Sequence, residues 1–163
     1  MIEVEIAMVR FDPEVKAPIV VLKEKQGNPR RLLPIWIGVF EAFAIVSEIE
    51  KQPVTRPMTH DLMKSIITNV GAEVISVLVS ELDNSIFFAE ITLKLGNNEI
   101  KKIDSRPSDA MALALRTGAK IYVAEKVMDD SGISPDIVQD DDKSQLKSIL
   151  ENMKPEDFGN NKL

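Results

Sequence analysis

The 163-residue chain is 44% apolar and carries a net charge of −6, from 20 Lys and Arg against 26 Asp and Glu. This size and composition indicate one compact domain, and the negative balance argues against unguided electrostatic adhesion to nucleic acid. The absence of cysteine excludes disulfides, thiolate zinc sites and thiol nucleophiles, and favours a cytoplasmic location. A single histidine, His60, excludes mechanisms that need two imidazoles in one subunit.

The chain opens with alternating apolar residues rather than a basic and apolar leader, and no apolar run approaches the length of a membrane span. We therefore expect a soluble, intracellular protein without a membrane partner. The seven glycines are too widely spaced to form a Gly-rich phosphate loop. P-loop and dinucleotide sites are thus excluded.

Apolar periodicity predicts three strands and then a helix at the start of the chain. The strands cover residues 1–10, 19–22 and 32–37. After Gly38, residues 39–51 place apolar side chains at helical spacing. Phe40 and Phe43 are expected to widen the buried face of this helix, and Trp36 is expected to pack.

A second helix is predicted from Thr59, as N-cap, to the terminator Gly71. Its apolar residues, among them Leu62, Ile66 and Val70, are expected to face inward. A meander of three strands follows, and the turn residues between its strands favour antiparallel pairing. These strands cover residues 74–81, 86–95 and 99–103, and the turns lie at 83–84 and 96–98.

A third helix is capped by Ser105 or Arg106, takes Pro107 in its first turn and ends at Gly118. A short strand at 121–123 closes the pattern. The element order predicts an α+β fold, with a mainly antiparallel sheet and helices packed on it.

Two parts of the chain share one outline. In both, an apolar strand and a breaker precede an acid-Ala-x-Ala-apolar run, once at 41–45 and once at 109–113. We interpret this as an internal duplication of a βββα unit. Residues 1–128 would form the domain, and 129–163 an acidic linker and tail with a helix at about 143–153.

A polar cluster follows the last strand of the meander. Asp104 and Asp109 can both face the helix N-terminus, where free N–H groups and the helix dipole favour anions. Such carboxylates can hold a divalent cation, with Arg106 and Ser108 left to grip a phosphate oxygen. The alternative is that Ser105 and Asp109 cap the helix while Arg106 pairs with an acid across the sheet.

The pair His60-Asp61 also occurs in metal-dependent phosphohydrolases of the His-Asp type, but those sites need further histidines. His60 can therefore act only as a lone acid, a lone base or a hydrogen-bond donor to phosphate, or else it has a structural role.

Few aromatic residues are present, and Trp36 and Tyr122 are the only tryptophan and tyrosine. Stacking platforms for single-stranded bases are therefore poorly supplied.

Several basic residues could line one groove despite the negative total, because local field and net charge are separate quantities. They are Arg30, Arg31, Arg56, Lys64, Lys101, Lys102 and Arg106. For Lys101 and Lys102 the alternative is a position on an exposed strand edge, where lysine opposes aggregation.

Four ordered segments resemble the bifunctional nuclease domain family. They are Leu33–Gly38 with Glu41, Arg56–Leu62, Asp104–Ala110 and Ile121–Glu125. The resemblance runs from about residue 1 to about residue 128. It implies a small, usually oligomeric α+β domain, and some members are credited with hydrolysing both DNA and RNA without strong sequence preference.

The resemblance and the polar cluster motivate a first hypothesis, a nuclease that acts as a metal-assisted phosphodiesterase. Mg²⁺ or Mn²⁺ would be held by Asp104 and Asp109, together with Glu41 or Asp61. Arg106 would stabilise the transition state, and His60 would protonate the leaving oxygen. The substrate would contact Arg56, Ser108 and Lys102.

The second hypothesis is a non-catalytic oligomeric module, with a dimer favoured, that binds a protein or a small anion. The negative charge, the sparse aromatic residues and a strand at 74–81 that is apolar on nearly both faces motivate it. In that case the polar cluster is a structural junction that locks the second repeat.

Overall fold

The computed structural model of the protein describes residues 1–134, which form seven strands and four helices. The strands are β1 (Ile2–Asp12), β2 (Ala17–Glu24), β3 (Leu32–Trp36), β4 (Glu73–Asp83), β5 (Ile86–Lys94), β6 (Ile100–Ser105) and β7 (Lys120–Val123). The helices are α1 (Val39–Ile49), α2 (Thr59–Asn69), α3 (Pro107–Thr117) and α4 (Glu125–Ser131).

All seven strands join one sheet in the order β3-β2-β1-β7-β4-β5-β6. Every pairing is antiparallel except the parallel pair of β4 and β7. The predicted α+β class is therefore confirmed. Each meander of three strands is followed by a helix, as a duplicated βββα unit would require, but the duplication itself stays a prediction.

The turns of the second meander form where small polar residues accept positive φ. Asn84 and Ser85 connect β4 to β5 at φ 48° and 65°, and Asn98 lies between β5 and β6 at φ 64°. A twisted hairpin needs such angles in its short turns, and Asn tolerates them. The antiparallel pairing predicted from these turns is confirmed.

Helix α3 is the centre of the core. It packs against α1, α2 and strands β4, β5 and β7, and its residues Ala110, Met111 and Leu113 are at most 1% exposed. It ends at Gly118, whose φ of 73° is a left-handed conformation that a side chain would disfavour. The polar first turn of α3 therefore belongs to the most buried helix of the described chain.

The inward face predicted for α2 is wrong in part. Leu62, Ile66 and Val70 are exposed, whereas Met63 and Ile67 pack against the core. The helix contacts α3 and β4, and these neighbours cover only part of its apolar stripe. The N-cap is Met58 rather than Thr59, and the Asp61 side chain accepts the backbone N–H of Met58 at 2.9 Å.

The buried roles expected for three aromatic residues are also wrong. Phe40, Phe43 and Trp36 are all exposed. Helix α1 instead buries Ala42, Ala44, Ile45 and Val46, and its contact with α3 leaves the two phenylalanines outside.

Helix α4 was not among the predicted elements. It follows β7 directly and buries Val127 and Met128. Beyond it, Ile133 pairs with Leu32 of β3, so contacts with the sheet continue past residue 128. The helix predicted at about 143–153 lies outside the described residues. Within residues 1–134, no helix combines the length and apolar character needed to span a membrane.

Candidate active site

The first turns of three helices meet at one end of the molecule. Glu41 lies in the first turn of α1, His60 in that of α2 and Asp109 in that of α3. Helix N-termini favour negative charge because their backbone N–H groups point outward. The three helices therefore bring two carboxylates and the only imidazole of the chain to a common region.

Arg106 joins two of these helices. Its Nε and Nη2 donate to Asp109 Oδ2 and Oδ1 at 2.7 and 3.1 Å, and its Nη1 donates to Glu41 Oε1 at 2.7 Å. The hydrogen bonds found within residues 1–134 use three of the five guanidinium N–H groups. The Arg106 side chain is 65% exposed, so the other two N–H groups can reach a ligand.

His60, on helix α2, contacts the Asp109 carboxylate that Arg106 also binds. Its Nε2 lies 3.2 Å from Asp109 Oδ1, and the imidazole is only 9% exposed. Burial alone would raise the pKa of Asp109, but hydrogen bonds from Arg106 and His60 outweigh it and hold that pKa below its usual value. Asp109 is therefore ionised near neutral pH and orients both neighbours.

Gly38 permits the approach of Glu41. A β-carbon at position 38 would collide with the Glu41 carboxylate, which folds back over the start of α1. Glycine is therefore required at position 38 for more than ending the strand. It clears the space in which Glu41 reaches Arg106.

Two adjoining cavities surround this cluster. A groove of about 650 Å³ is lined by His60, Asp104, Arg106 and Asp109 at its polar end. A second cavity of about 300 Å³ is lined by Glu41 and Ser108 and shares Arg106 with the first. Six of the predicted site residues therefore line one continuous region.

Three predicted site residues lie elsewhere. Asp61 accepts a hydrogen bond from Arg116 Nε at 2.6 Å, and Lys102 pairs with Glu90 at 2.9 Å on the exposed edge strand β6. Arg56 is exposed in the segment between α1 and α2 and lines neither cavity.

The basic groove considered from the sequence does not form around these cavities, because Arg106 is their only lining Lys or Arg among residues 1–134. The exposed edge position considered for Lys101 and Lys102 is confirmed.

Arg116 is the residue that sequence reasoning missed. Its side chain is 4% exposed, and its Nη1 donates to the carbonyl oxygens of Ala44 and Ala112 at 2.9 and 3.0 Å. Together with the bond to Asp61, these contacts tie α1, α2 and α3 to one guanidinium. The available signal was a lone arginine at the end of a helix that is otherwise apolar on its buried side.

The carboxylates fit only a limited kind of metal site. Within residues 1–134, no group of three His, Asp or Glu side chains is arranged to hold a metal ion. Asp104 and Asp109 line the same groove, but Asp109, Glu41 and Asp61 are all engaged by arginines, so within residues 1–134 Asp104 is the one predicted ligand that no arginine holds. Mg²⁺ often uses one or two carboxylates and completes its shell with water and substrate phosphate. These residues therefore fit a cation that binds only together with the substrate.

Comparison with known proteins gives a consistent set of relatives. A family model described as bifunctional nuclease domain matches residues 20–136. An uncharacterized protein of Mycobacterium tuberculosis is 34% identical over 165 residues, which is 96% of this chain and 97% of that protein.

Two plant relatives match over a shorter region. Bifunctional nuclease 1 of Arabidopsis thaliana is 32% identical over 65% of this chain, and bifunctional nuclease 2 of Oryza sativa subsp. japonica is 30% identical over 71%. These matches cover 33% and 36% of the plant proteins, so the shared domain is about a third of their length.

Proposed function

This chain belongs to the bifunctional nuclease domain family, and we propose that it hydrolyses phosphodiester bonds of DNA or RNA. One arrangement carries the proposal. An exposed guanidinium with two N–H groups to spare lies beside Asp109, which pairs with the buried His60, in an open groove. These are the groups that phosphodiester cleavage needs, a donor for developing negative charge and a group that exchanges a proton.

Arg106 binds the scissile phosphate in this proposal. Its two remaining N–H groups donate to non-bridging oxygens, and the donation strengthens as negative charge accumulates in the transition state. Asp109 and Glu41 hold the guanidinium from the other side, so it needs little reorganisation when substrate arrives. Ser108 is buried in the adjoining cavity and contacts the substrate there.

His60 exchanges the proton. With Nε2 facing Asp109, Nδ1 is the nitrogen that protonates the leaving oxygen. The ionised Asp109 fixes the tautomer and stabilises the imidazolium. Asp104 and Asp109 would hold Mg²⁺ or Mn²⁺ with the substrate phosphate, and such a cation would lower the pKa of a bound water and neutralise charge.

Arg56 and Lys102 are proposed to contact the substrate beyond the groove, since both are exposed. The absence of cysteine fits action in the cytoplasm, and the exposed apolar faces of α1 and α2 fit a homodimer.

A second function competes with this one. The three carboxylates Glu41, Asp61 and Asp109 are each paired with an arginine, as they would be in a structural junction without chemistry. In that case the chain is a non-catalytic module, and the cluster only stabilises the helix N-termini.

The test is cleavage of labelled single- and double-stranded DNA and RNA in Mg²⁺, Mn²⁺ or EDTA. Wild type is compared with Asp104→Asn/Asp109→Asn and with Asp130→Asn, an exposed control on α4. We expect metal-dependent cleavage that falls at least about 100-fold in the double variant and not in the control. Equal cleavage in all three proteins rejects the site, whereas a lower melting temperature in the double variant without cleavage in any protein supports the structural module.

A further inference from the structure

Large apolar side chains line the two cavities and remain exposed to solvent. Ile86, Phe88 and Ile103 line the larger groove, and Trp36 lines the smaller cavity. We call these four residues the apolar rim. Exposed apolar groups that surround one cavity commonly mark a binding site, because a ligand with apolar faces removes them from water.

The rim lies beside a single positively charged side chain. Arg106 is the only Lys or Arg among the described residues that line either cavity, and it is accompanied by the carboxylates of Glu41, Asp104 and Asp109. A duplex presents its phosphates and stacks its bases inside, so duplex binding relies on neutralising several phosphates. This groove offers one guanidinium and therefore suits a ligand that needs only one phosphate contact.

From these two features we propose that the site takes single-stranded nucleic acid, with bases against the apolar rim and one phosphodiester on Arg106. Unpaired bases expose π-faces that stack on aromatic side chains whatever their sequence. This inference rests on the proposed function, because it names the substrate class of the same site. In this proposal, most of the binding affinity comes from the bases against the apolar rim, and the guanidinium of Arg106 orients the scissile phosphate.

Trp36 is already held in place. Its Nε1 donates to Asp12 Oδ2 at 3.2 Å, which ties one edge of the indole to the end of β1. Binding to a ring that is fixed beforehand loses less conformational entropy than binding to a mobile one. The hydrogen bond therefore explains how a large exposed aromatic residue can serve as a platform.

The sole tryptophan of the chain also supplies the measurement. The full chain is titrated in EDTA with a 12-nucleotide oligodeoxythymidine and with its duplex with oligodeoxyadenosine, while Trp36 emission is recorded. We expect saturable quenching by the single strand and at least about 10-fold weaker binding of the duplex. The logarithm of the single-strand affinity should fall with the logarithm of salt concentration at a slope of about −0.7, which corresponds to one phosphate contact.

A matched pair of variants tests the rim. Phe88 in the groove and Phe43 on α1 are 38% and 37% exposed, and of the two only Phe88 lines either of the two cavities of the site. Phe88→Leu should weaken single-strand binding by about 5- to 150-fold, the range of one base–aromatic stack. Phe43→Leu should leave the affinity unchanged, and Phe88→Tyr should restore it because the ring is kept.

The inference and the proposed function can fail separately. Equal affinity for duplex and single strand, a salt slope of several phosphates, equal effects of the two Phe→Leu variants, or no binding at all would each overturn the inference. Single-strand binding without cleavage in Mg²⁺ or Mn²⁺ would support the inference and reject hydrolysis. Cleavage of duplex and single strand at equal rates, unaffected by Phe88→Leu, would retain the nuclease and reject the substrate class.

Discussion

Replacing Arg116 with methionine should loosen the three helices that carry the site. The Arg116 guanidinium donates to Asp61 on α2, to Ala44 on α1 and to Ala112 on α3. Methionine retains much of the aliphatic volume and removes the charge and every donor. The variant therefore leaves the Asp61 carboxylate without its cation and the Ala44 carbonyl without its side-chain donor.

The expected cost follows from these contacts. Removing one partner of a buried ion pair costs about 3–5 kcal/mol, and water relieves part of that cost here because the Asp61 side chain is 29% exposed. We take about 2–3 kcal/mol for the pair and about 1 kcal/mol for the hydrogen bond to Ala44. For a domain of this size, a total of about 3–4 kcal/mol lowers the melting temperature by roughly 10–15 °C.

The pH dependence gives this prediction a second, independent readout. Burial raises the pKa of Asp61, but hydrogen bonds from the Met58 N–H and from Arg116 outweigh it and hold the pKa below its usual 3.8. The stabilisation is thus present above that value and is lost as the pH falls through the lower native pKa. Arg116→Met should therefore lose less stability on acidification than wild type does.

Chemical denaturation of wild type, Arg116→Met, Asp61→Asn and the double variant completes a thermodynamic cycle. We expect the double variant to cost less than the sum of the single variants by about 1 kcal/mol or more, because the two side chains contact each other. A melting temperature within about 2 °C of wild type for Arg116→Met, or strictly additive costs, would refute the reasoning.

Three further predictions concern the cluster and the central helix. Burial raises the pKa of Asp109, but hydrogen bonds, the largest from Arg106, outweigh burial and hold that pKa below its usual value. Wild type should therefore lose stability as the pH falls below about 4. Asp109→Asn should flatten that loss in denaturation curves between roughly pH 5 and 2. Glu41→Gln should slow cleavage by about 10- to 100-fold through a misplaced Arg106, yet cost less than about 1 kcal/mol because water reaches the 65% exposed Arg106 side of the pair. A large drop in melting temperature would contradict this. Gly118→Ala should cost about 1–2 kcal/mol through its φ of 73° alone, since open space surrounds it, whereas Gly96→Ala should cost less, and equal costs in urea would contradict the argument.

The fold was largely predictable because periodicity is a local property. Side chains alternate in strands and repeat every 3.6 residues in helices, and each of the predicted strands and helices within residues 1–134 has a counterpart close to its predicted bounds. Burial was harder to predict. An apolar stripe on α2 shows which side chains share a face, but only the position of α3 determines that Met63 is covered and Leu62 is not.

The candidate site, like the fold, was predictable in part from local sequence and depended otherwise on how the helices pack. The order of residues along the chain already places Asp104, Arg106 and Asp109 at one strand-to-helix junction, because residues so close along the chain cannot separate far. The packing of α1 against α3 brings in Glu41, which is 65 residues from Arg106 and accepts a hydrogen bond from its guanidinium.

Tertiary packing also separated the neighbours His60 and Asp61. Successive residues point about 100° apart around a helix, so one side chain reaches Asp109 in the groove and the other reaches Arg116 between the helices. Local spacing determines which residues can share a surface, and the packing of whole helices determines which partners they meet there.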